Sequence, residues 1–242
     1  RQRQMCIRDR SNAILSSSGY VAVWAEDNTR EALFDALQRR EVYASTGPRI
    51  TLRLFAGWGF TGEELYDADF AAQGYSVGVP MGGQLTGSCE ETGQVSILIK
   101  ASRDPMGANL DRIQIVKGWM DQGEHRERVY DVALSDGRKV GEAGQVLEVG
   151  NTVDIQSAAY ANTIGAAELG TVWTDWDFDP EQQAFYYARV LEIPTPRWTT
   201  YDAAAFEIPP PDNVPRAVQQ RVYSSPVWYE PLEAAAGPDC RG

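Results

Sequence analysis

The stretch from residue 19 to residue 58 constrains the fold of this chain more than any other, because strand, helix and turn signals follow one another there. Residues 20–25 (YVAVWA) form a short apolar run that predicts a buried strand. Residues 42–44 predict a second strand, residues 46–48 (Thr-Gly-Pro) a tight turn, and residues 50–55 a third, half-buried strand. This order is typical of the last α/β unit of one domain that runs directly into an all-β domain.

The segment between the first two strands predicts a helix over residues 28–40. Asn28 is the expected N-cap, and Glu31 completes a capping box three residues later. Arg39 and Arg40 follow at the C-terminal end, where cations suit the helix dipole. One apolar stripe is expected to pack against a neighbouring element, and it consists of Leu33, Phe34, Ala36 and Leu37.

After residue 58 the helical period largely disappears, and short strand signals take its place. Short strands at such spacing indicate a sandwich of two sheets. The predicted strands are residues 95–101, 111–119, 127–133, 184–191 and 222–229. The sequence therefore predicts an α+β fold that is mainly β.

Composition and charge exclude some classes of partner. Of the 242 residues, 43% are apolar and 23% charged, which is ordinary for a globular protein. The formal net charge of −12 argues against a nucleic-acid partner, because phosphate binding needs clustered Lys and Arg. No apolar run approaches the roughly 20 residues that a membrane span needs, so none is expected.

Both ends of the chain are predicted to be tails. Residues 1–10 (RQRQMCIRDR) lack an apolar period and resemble translated sequencing-adapter read-through, in which case the true polypeptide continues upstream of Ser11. A genuine flexible basic tail is the alternative. Residues 232–242 are small and polar. Cys89 and Cys240 match no metal-site spacing; we expect two unrelated thiols, with a disulfide as the alternative if the protein is exported.

Five collinear blocks resemble the C-terminal portion of the bacterial family called domain of unknown function 3604. They are residues 26–50, 78–83, 111–119, 185–198 and 221–231, and the likeness covers nearly all of residues 19–231. That family resembles the polymerase and histidinol phosphatase (PHP) superfamily of metal-dependent hydrolases. In such proteins a distorted β/α barrel carries His, Asp and Glu ligands for two or three metal ions, which activate water.

The resemblance implies an architecture of two parts. Residues 11–48 would be the terminal strand–helix–strand unit of a truncated PHP-like β/α barrel, and residues 49–231 a β-sandwich-like domain. The missing N-terminal barrel of the same protein is then the expected partner, and divalent metal ions are expected in the full-length parent. The resemblance also suggests a periplasmic or secreted protein.

The sequence departs from an active member of that superfamily in its histidines. The His-x-His and Asp-x-His motifs are absent, and the only histidine, His125, lies in a polar run predicted as an exposed turn. No metal ligand of the family can be placed on this chain, so we expect no catalytic residue and no cofactor in it. The predicted function is the C-terminal part of a PHP-like metal-dependent hydrolase, a phosphoesterase by resemblance, that is inactive alone.

A non-catalytic β-sandwich module that binds a glycan or a protein partner is the alternative function. The 7 tryptophans invite the glycan interpretation, because flat aromatic rings stack on sugars. Most of them lie in strand-like apolar runs, where packing in the core is the commoner use.

The junction between the two predicted parts holds the candidate substrate-binding residues. At the mouth of a barrel, Arg40, Tyr43, Thr46 and Arg49 would line a cleft, and an arginine would hold a small anionic substrate through two parallel hydrogen bonds. A structural turn packed between domains is the favoured alternative for the same residues.

Three aspartates at alternate positions are weak calcium candidates. Asp175, Asp177 and Asp179 could converge on one ion, as in an EF-hand loop. That loop needs Gly at its sixth position and Glu at its twelfth, where this chain has Pro180 and Tyr186. A solvated acidic turn, with the two intervening aromatic side chains pointing inward, is the favoured interpretation.

Overall fold

The structure, a computed structural model, describes residues 19–87, 93–142 and 144–231. The predictions for residues 1–10, for residues 232–242 and for the Cys89 and Cys240 thiols lie outside the described residues. No helix in these three ranges has both the length and the apolar character needed to cross a membrane.

Short strands dominate the described residues, and few helices interrupt them. The helices are α1 (Arg30–Gln38), α2 (Phe70–Val77), α3 (Trp198–Phe206) and a single 3-10 turn, Glu63–Tyr66. The strands are β1 (Tyr20–Val23), β2 (Val42–Ser45), β3 (Thr51–Gly57), β4 (Gly78–Pro80), β5 (Gln84–Thr86), β6 (Ser96–Ser102), β7 (Leu110–Asp121), β8 (Glu124–Leu134), β9 (Glu168–Thr174), β10 (Ala184–Glu192), β11 (Thr195–Pro196), β12 (Ala217–Val218), β13 (Arg221–Ser224) and β14 (Val227–Glu230).

The larger sheet is built around β10. One edge of β10 pairs with β7 along its whole length, and β7 pairs in turn with β8. The other edge pairs with β13 at one end and with β14 at the other. From β13 the sheet continues through β2 to β1, and β5 adds to β14 as its parallel neighbour. All the other pairs in this sheet are antiparallel.

The smaller sheet, in the order β4-β3-β6-β9, packs against the larger one with a shared apolar core. Alternate residues of each strand face this core, because successive side chains of a strand point to opposite sides. The small sheet contributes Leu52, Leu54, Ile97 and Ile99, and the large sheet contributes Ile113, Ile115, Tyr186, Ala188 and Val190. The mainly β fold is thus confirmed, and the sheets do not close into a barrel.

The predicted strand–helix–strand unit forms, but its pairing is that of a sandwich. β1 and β2 are antiparallel, and β2 continues into the large sheet by pairing with β13. Consecutive strands of a β/α barrel are parallel. The structure therefore does not confirm the barrel remnant expected at residues 11–48.

Helix α1 differs from the prediction at its start and on its apolar face. Thr29, not Asn28, is the N-cap, since its Oγ1 accepts a hydrogen bond from the Ala32 N–H at 3.2 Å. Within the predicted stripe Ala36 is buried, whereas Phe34 and Leu37 are exposed. The face that was expected to be covered is therefore only partly covered among the described residues.

The single strand predicted at residues 222–229 is two strands, β13 and β14, separated at Ser225 and Pro226. Proline has no N–H to donate to a ladder, so a strand that includes it is interrupted. The Pro226 carbonyl instead accepts from the Gly82 N–H at 3.0 Å, and the Ser225 N–H donates to the Val42 carbonyl at 3.0 Å. The interruption therefore ties β14 to two other parts of the sandwich.

A buried ion pair crosses the core between the two sheets. Lys117 Nζ lies 2.5 Å from Asp175 Oδ2 and also donates to the Asp177 carbonyl at 3.0 Å. The Tyr186 hydroxyl donates to the same Asp175 oxygen at 2.7 Å. Burial raises the pKa of the Tyr186 hydroxyl above its usual range, so the phenol stays protonated and remains a donor. Each charge depends on the other, because neither side chain reaches water.

We predict that Asp175→Ala lowers the free energy of unfolding by about 3–5 kcal/mol, because it leaves the Lys117 ammonium buried without its partner. Asp177→Ala is the matched control: its carboxylate makes an exposed pair with Arg128 at 2.7 Å, and its loss should cost less than about 1 kcal/mol. Urea unfolding curves measure both. Equal losses for the two variants would contradict the importance of the buried pair.

Candidate functional site

The two arginines among the predicted site residues, Arg40 and Arg49, make contacts that involve the backbone. Arg40 has a positive φ of 60°, and its Nε donates to the Gly82 carbonyl at 3.2 Å. The Arg49 backbone N–H donates to Asp104 Oδ2 at 2.8 Å. The two contacts involve different partners, and neither arginine lines the cleft that contains Thr46.

Tyr43 and Thr46 separate as well. Tyr43 packs its ring against Trp24, with centroids 6.3 Å apart, and borders the apolar core. Burial raises the pKa of the Tyr43 hydroxyl. Of the four predicted residues, Thr46 lines a cleft, together with residues that the sequence did not single out. The assignment of a common substrate site to all four stays a prediction.

The cleft beside Thr46 has a volume of about 400 Å³ and lies where β2, β12, β13 and the start of α3 meet. We call it the arginine cleft. Its lining residues are Gly19, Ser45, Thr46, Arg197, Trp198, Val218, Gln219, Gln220, Arg221 and Tyr223. Hydroxyl, amide and guanidinium groups make up much of this lining.

Thr46 forms part of the wall of the cleft by connecting the turn after β2 to the start of β13. Its backbone N–H donates to the Arg221 carbonyl at 2.9 Å, and its Oγ1 accepts from the Arg221 N–H at 3.0 Å. The same hydroxyl donates to Gln220 Oε1 at 2.6 Å. Thr46 therefore acts as a positioning residue that holds Gln220 and Arg221 at the wall of the cleft.

The charge of the arginine cleft is opposite to that of the whole chain. Its lining contains Arg197 and Arg221 and no carboxylate, although the chain carries a formal charge of −12. The Arg221 guanidinium has no ion pair among the described residues. Arg197 donates from Nη1 to Thr199 Oγ1 at 3.1 Å and lies over the Trp198 ring. Such a cleft favours an anionic ligand.

The titratable side chains in the described lining of the arginine cleft are Arg197, Arg221 and Tyr223. No histidine, cysteine or carboxylate lies among its lining residues. His125 is elsewhere, on β8 rather than in the predicted turn, where it pairs with Met120 of β7. The long β7–β8 ladder explains this error, because it continues as far as Asp121 and Glu124.

A second polar cluster lies at the end of α1. The buried Glu41 carboxylate accepts from the Tyr75 hydroxyl and lies 3.7 Å from Arg53 Nη2. Arg53 stacks over the Trp24 ring at 4.1 Å and donates to Tyr75 at 3.0 Å. Burial and the Glu41 hydrogen bond raise the pKa of Tyr75 to about 12, so the phenol stays protonated. These contacts join α2 to the sandwich beside a cavity of about 570 Å³ that Glu41, Arg53 and Tyr75 line.

The three calcium candidates do not converge. Asp175 is engaged in the core by Lys117, Asp177 pairs with Arg128, and Asp179 Oδ1 accepts from the Glu181 N–H at 2.9 Å. In the part of the chain that the structure describes, no group of three or more His, Cys, Asp or Glu side chains is arranged to hold a metal ion. The described residues therefore do not fit a multi-metal centre.

Of the two aromatic side chains predicted to point inward beside these aspartates, one does so. The Phe178 N–H donates to the Asp175 carbonyl at 3.3 Å, which closes a turn with residues 176 and 177 at its tip. Phe178 packs against Trp58 and Tyr229 as expected. Trp176 is 77% exposed, so the prediction for it is wrong.

Arg197 and Arg221 lie in two of the blocks that carry the family resemblance, but nothing in those blocks indicates that the two side chains meet in one cleft. The Thr46–Arg221 contact joins residues that are 175 positions apart. Arg197 stands in a Pro-Arg-Trp step before a helix that the apolar period did not reveal. A cluster of basic residues in one short segment would have indicated an anion site. Neither Arg197 nor Arg221 lies in such a cluster.

A buried acid lies behind the arginine cleft. The Glu192 N–H donates to the Gln220 carbonyl, and its own carbonyl accepts from Gln219 Nε2, both at 2.9 Å. Its side chain is buried, and Oε1 has no hydrogen-bond partner among the described residues. Burial, and secondarily the Asp104 charge, raise the pKa of Glu192 to about 8. The folded protein therefore favours the neutral acid.

Comparisons with known proteins identify one match. A family model described as "Protein of unknown function (DUF3604)" matches residues 1–231. No curated protein and no solved structure matches the chain.

We predict that Glu192→Gln makes the chain more stable at alkaline pH. The pKa of Glu192 is about 8 when folded and near 4.5 when unfolded, so the free energy of unfolding falls as pH rises between these values. Glutamine is neutral throughout; the variant should match the parent at pH 5 and exceed it by about 2–4 kcal/mol at pH 9. Unfolding curves across this range measure the difference, and parallel pH profiles would contradict the prediction.

Proposed function

Since the chain belongs to DUF3604, a family of proteins of unknown function, we propose that it is the β-sandwich part of a PHP-like metal-dependent hydrolase and that its arginine cleft binds the anionic group of the substrate. The observation that carries this proposal is the lining of the cleft, which has arginine, hydroxyl and amide groups and no carboxylate. A phosphoester is the ligand class that fits both the cleft and the resemblance to that superfamily.

The recognition chemistry follows from the two arginines. A guanidinium presents N–H groups in a planar fork that matches two oxygens of a phosphate or carboxylate. The Arg221 backbone is held by both the amide and the hydroxyl of Thr46, so its side chain starts from a fixed point. The neighbouring Gln220 amide adds a polar group at the same wall.

Hydrolysis itself is assigned to residues other than the described ones. Metal ions in PHP-like hydrolases supply activated water, and the described residues offer no cluster of ligands to hold them. The role of this chain in the proposal is to bind and orient.

A second candidate function is the binding of a protein partner without hydrolysis. The exposed Phe34 and Leu37 side chains on α1 and the exposed Tyr20 and Val21 on β1 favour it. The PHP-like barrel expected upstream is one partner of this kind. A partner that covers these side chains would bury apolar surface that is open to solvent in the described residues.

We predict that inorganic phosphate binds the chain and that Arg221→Ala weakens this binding by about 10- to 100-fold. The affinity falls because the variant loses charge-assisted hydrogen bonds to the phosphate. Isothermal titration calorimetry at low salt measures the dissociation constant. Arg128→Ala is the matched control, because Arg128 is exposed and pairs with Asp177 outside the cleft. No binding by the parent chain, or equal weakening in both variants, would refute the anion site.

We also predict that the chain alone does not hydrolyse a generic phosphoester such as p-nitrophenyl phosphate, with or without added manganese or zinc. The physical reason is the lack of a ligand cluster among the described residues. The release of p-nitrophenol by the purified protein, compared with a blank that contains the metal alone, measures this activity. Metal-dependent turnover that co-purifies with the chain would overturn the assignment of catalysis to other residues.

A further inference from the structure

A second cleft, of about 480 Å³, lies on the outer face of the large sheet, where β7 and β14 end and β8 and β10 begin. We propose that it binds a neutral carbohydrate, with aromatic rings against the apolar face of the sugar and carboxylates accepting from its hydroxyl groups. We call it the aromatic cleft. The residues that carry the argument are Gly118, Glu127, Phe185, Trp228 and Glu230.

Four of these residues form one row across the sheet. Trp228 pairs with Phe185, Phe185 with Gly118, and Gly118 with Glu127, so the row crosses β14, β10, β7 and β8. Neighbouring strands are about 4.8 Å apart, so the row is about 14 Å long. This length suits more than one sugar ring.

The floor of the aromatic cleft depends on the glycine in the row. A Cβ atom at Gly118 would lie 2.3 Å from the Phe185 ring, so the ring covers the bare backbone of β7. The Trp228 ring follows, with its centroid 5.2 Å from that of Phe185 and its plane tilted by 49°. Two adjacent rings thus form a continuous aromatic surface.

Packing of the core does not explain these rings. Val227 and Tyr229 on β14 and Tyr186 on β10 point into the core, so Phe185 and Trp228 point away from it. Trp228 remains 43% exposed. The solvent side of an antiparallel sheet is normally polar, and exposed aromatic surface there is typical of a binding site.

The rim of the cleft selects the chemistry of the ligand. The Glu127 and Glu230 carboxylates make no ion pair among the described residues, whereas Arg126 is paired with Asp121 and Glu124. Unpaired carboxylates repel an anion and accept hydrogen bonds from hydroxyl groups. A neutral sugar, with a ring face for the aromatic floor and hydroxyl groups for the rim, complements both features.

An extended peptide suits the cleft less well. Peptides that bind sheets add a strand to an open edge and rely on backbone hydrogen bonds. The floor here consists of side chains on the face of strands, and β10 and β7 are paired on both edges. The aromatic cleft is also distinct from the arginine cleft in its lining residues, so this inference stands without the proposed function.

Isothermal titration calorimetry of the chain with neutral hexasaccharides of β-glucan, α-glucan, mannan and xylan tests the proposal. Binding of at least one is expected, with a tenfold or greater loss of affinity in Trp228→Ala. Trp176→Ala is the matched control, because Trp176 is 77% exposed and does not line the cleft; it should bind like the parent. Glu127→Gln, an exposed change that keeps the fold, should weaken binding severalfold.

Several results would overturn the proposal. They are the absence of binding to the whole panel, equal loss in the Trp176 and Trp228 variants, and a Trp228-dependent dimer in sedimentation experiments that accounts for the exposed rings. Circular dichroism spectra establish whether each variant is folded. If Trp228→Ala does not fold, the affinity of Glu127→Gln for the hexasaccharides tests the proposal. Phosphate binding should be unchanged in Trp228→Ala, which separates failure at this cleft from failure at the arginine cleft.

Discussion

The alternation of side chains along β10 determines both the core and the binding surfaces of this sandwich. Tyr186, Ala188 and Val190 of this strand enter the core, and Phe185 and Tyr187 face outward. A shift of register by one residue would exchange the two sets. The apolar contacts that hold β10 in place therefore also place the aromatic rings on the outer face, so stability and recognition share one constraint.

The pairing of β2 with β13 has a comparable role at the other end of the sheet. It brings an early turn of the chain against its last strands, and the Thr46 hydroxyl completes the contact with Gln220 and Arg221. The arginine cleft is a product of this closure rather than of any one segment. Its basic lining and the acidic rim of the aromatic cleft divide the surface into regions for ligands of different charge.

The strands with strong local signals were predictable from the sequence. The apolar runs of β6, β7 and β10 and the helix before β2 appear where expected, and the membership of the family is confirmed. Helix α3 was missed because its sequence, WTTYDAAAF, has no apolar stripe of helical period. Asp175 was interpreted as a solvated turn residue, since its buried partner Lys117 is 58 positions away.

The candidate site was harder to predict from the sequence, because contacts between distant segments also assemble it. Arg40, Tyr43, Thr46 and Arg49 are close in sequence, and the turn between them sends their side chains to different neighbours. Both clefts are assembled from strands that are distant along the chain, so their members are not marked by spacing. Only the register of the sheet brings Trp228, Phe185 and Gly118 into one row.

Strand β1 has a practical consequence for work with this protein. It is the last strand on its side of the large sheet, and among the described residues its outer edge has no neighbour. Its first two side chains, Tyr20 and Val21, are exposed and apolar. An unpaired edge of this kind is a template for strand exchange between molecules. A lysine added at this edge is therefore expected to lower any tendency of the molecules to associate through intermolecular sheets.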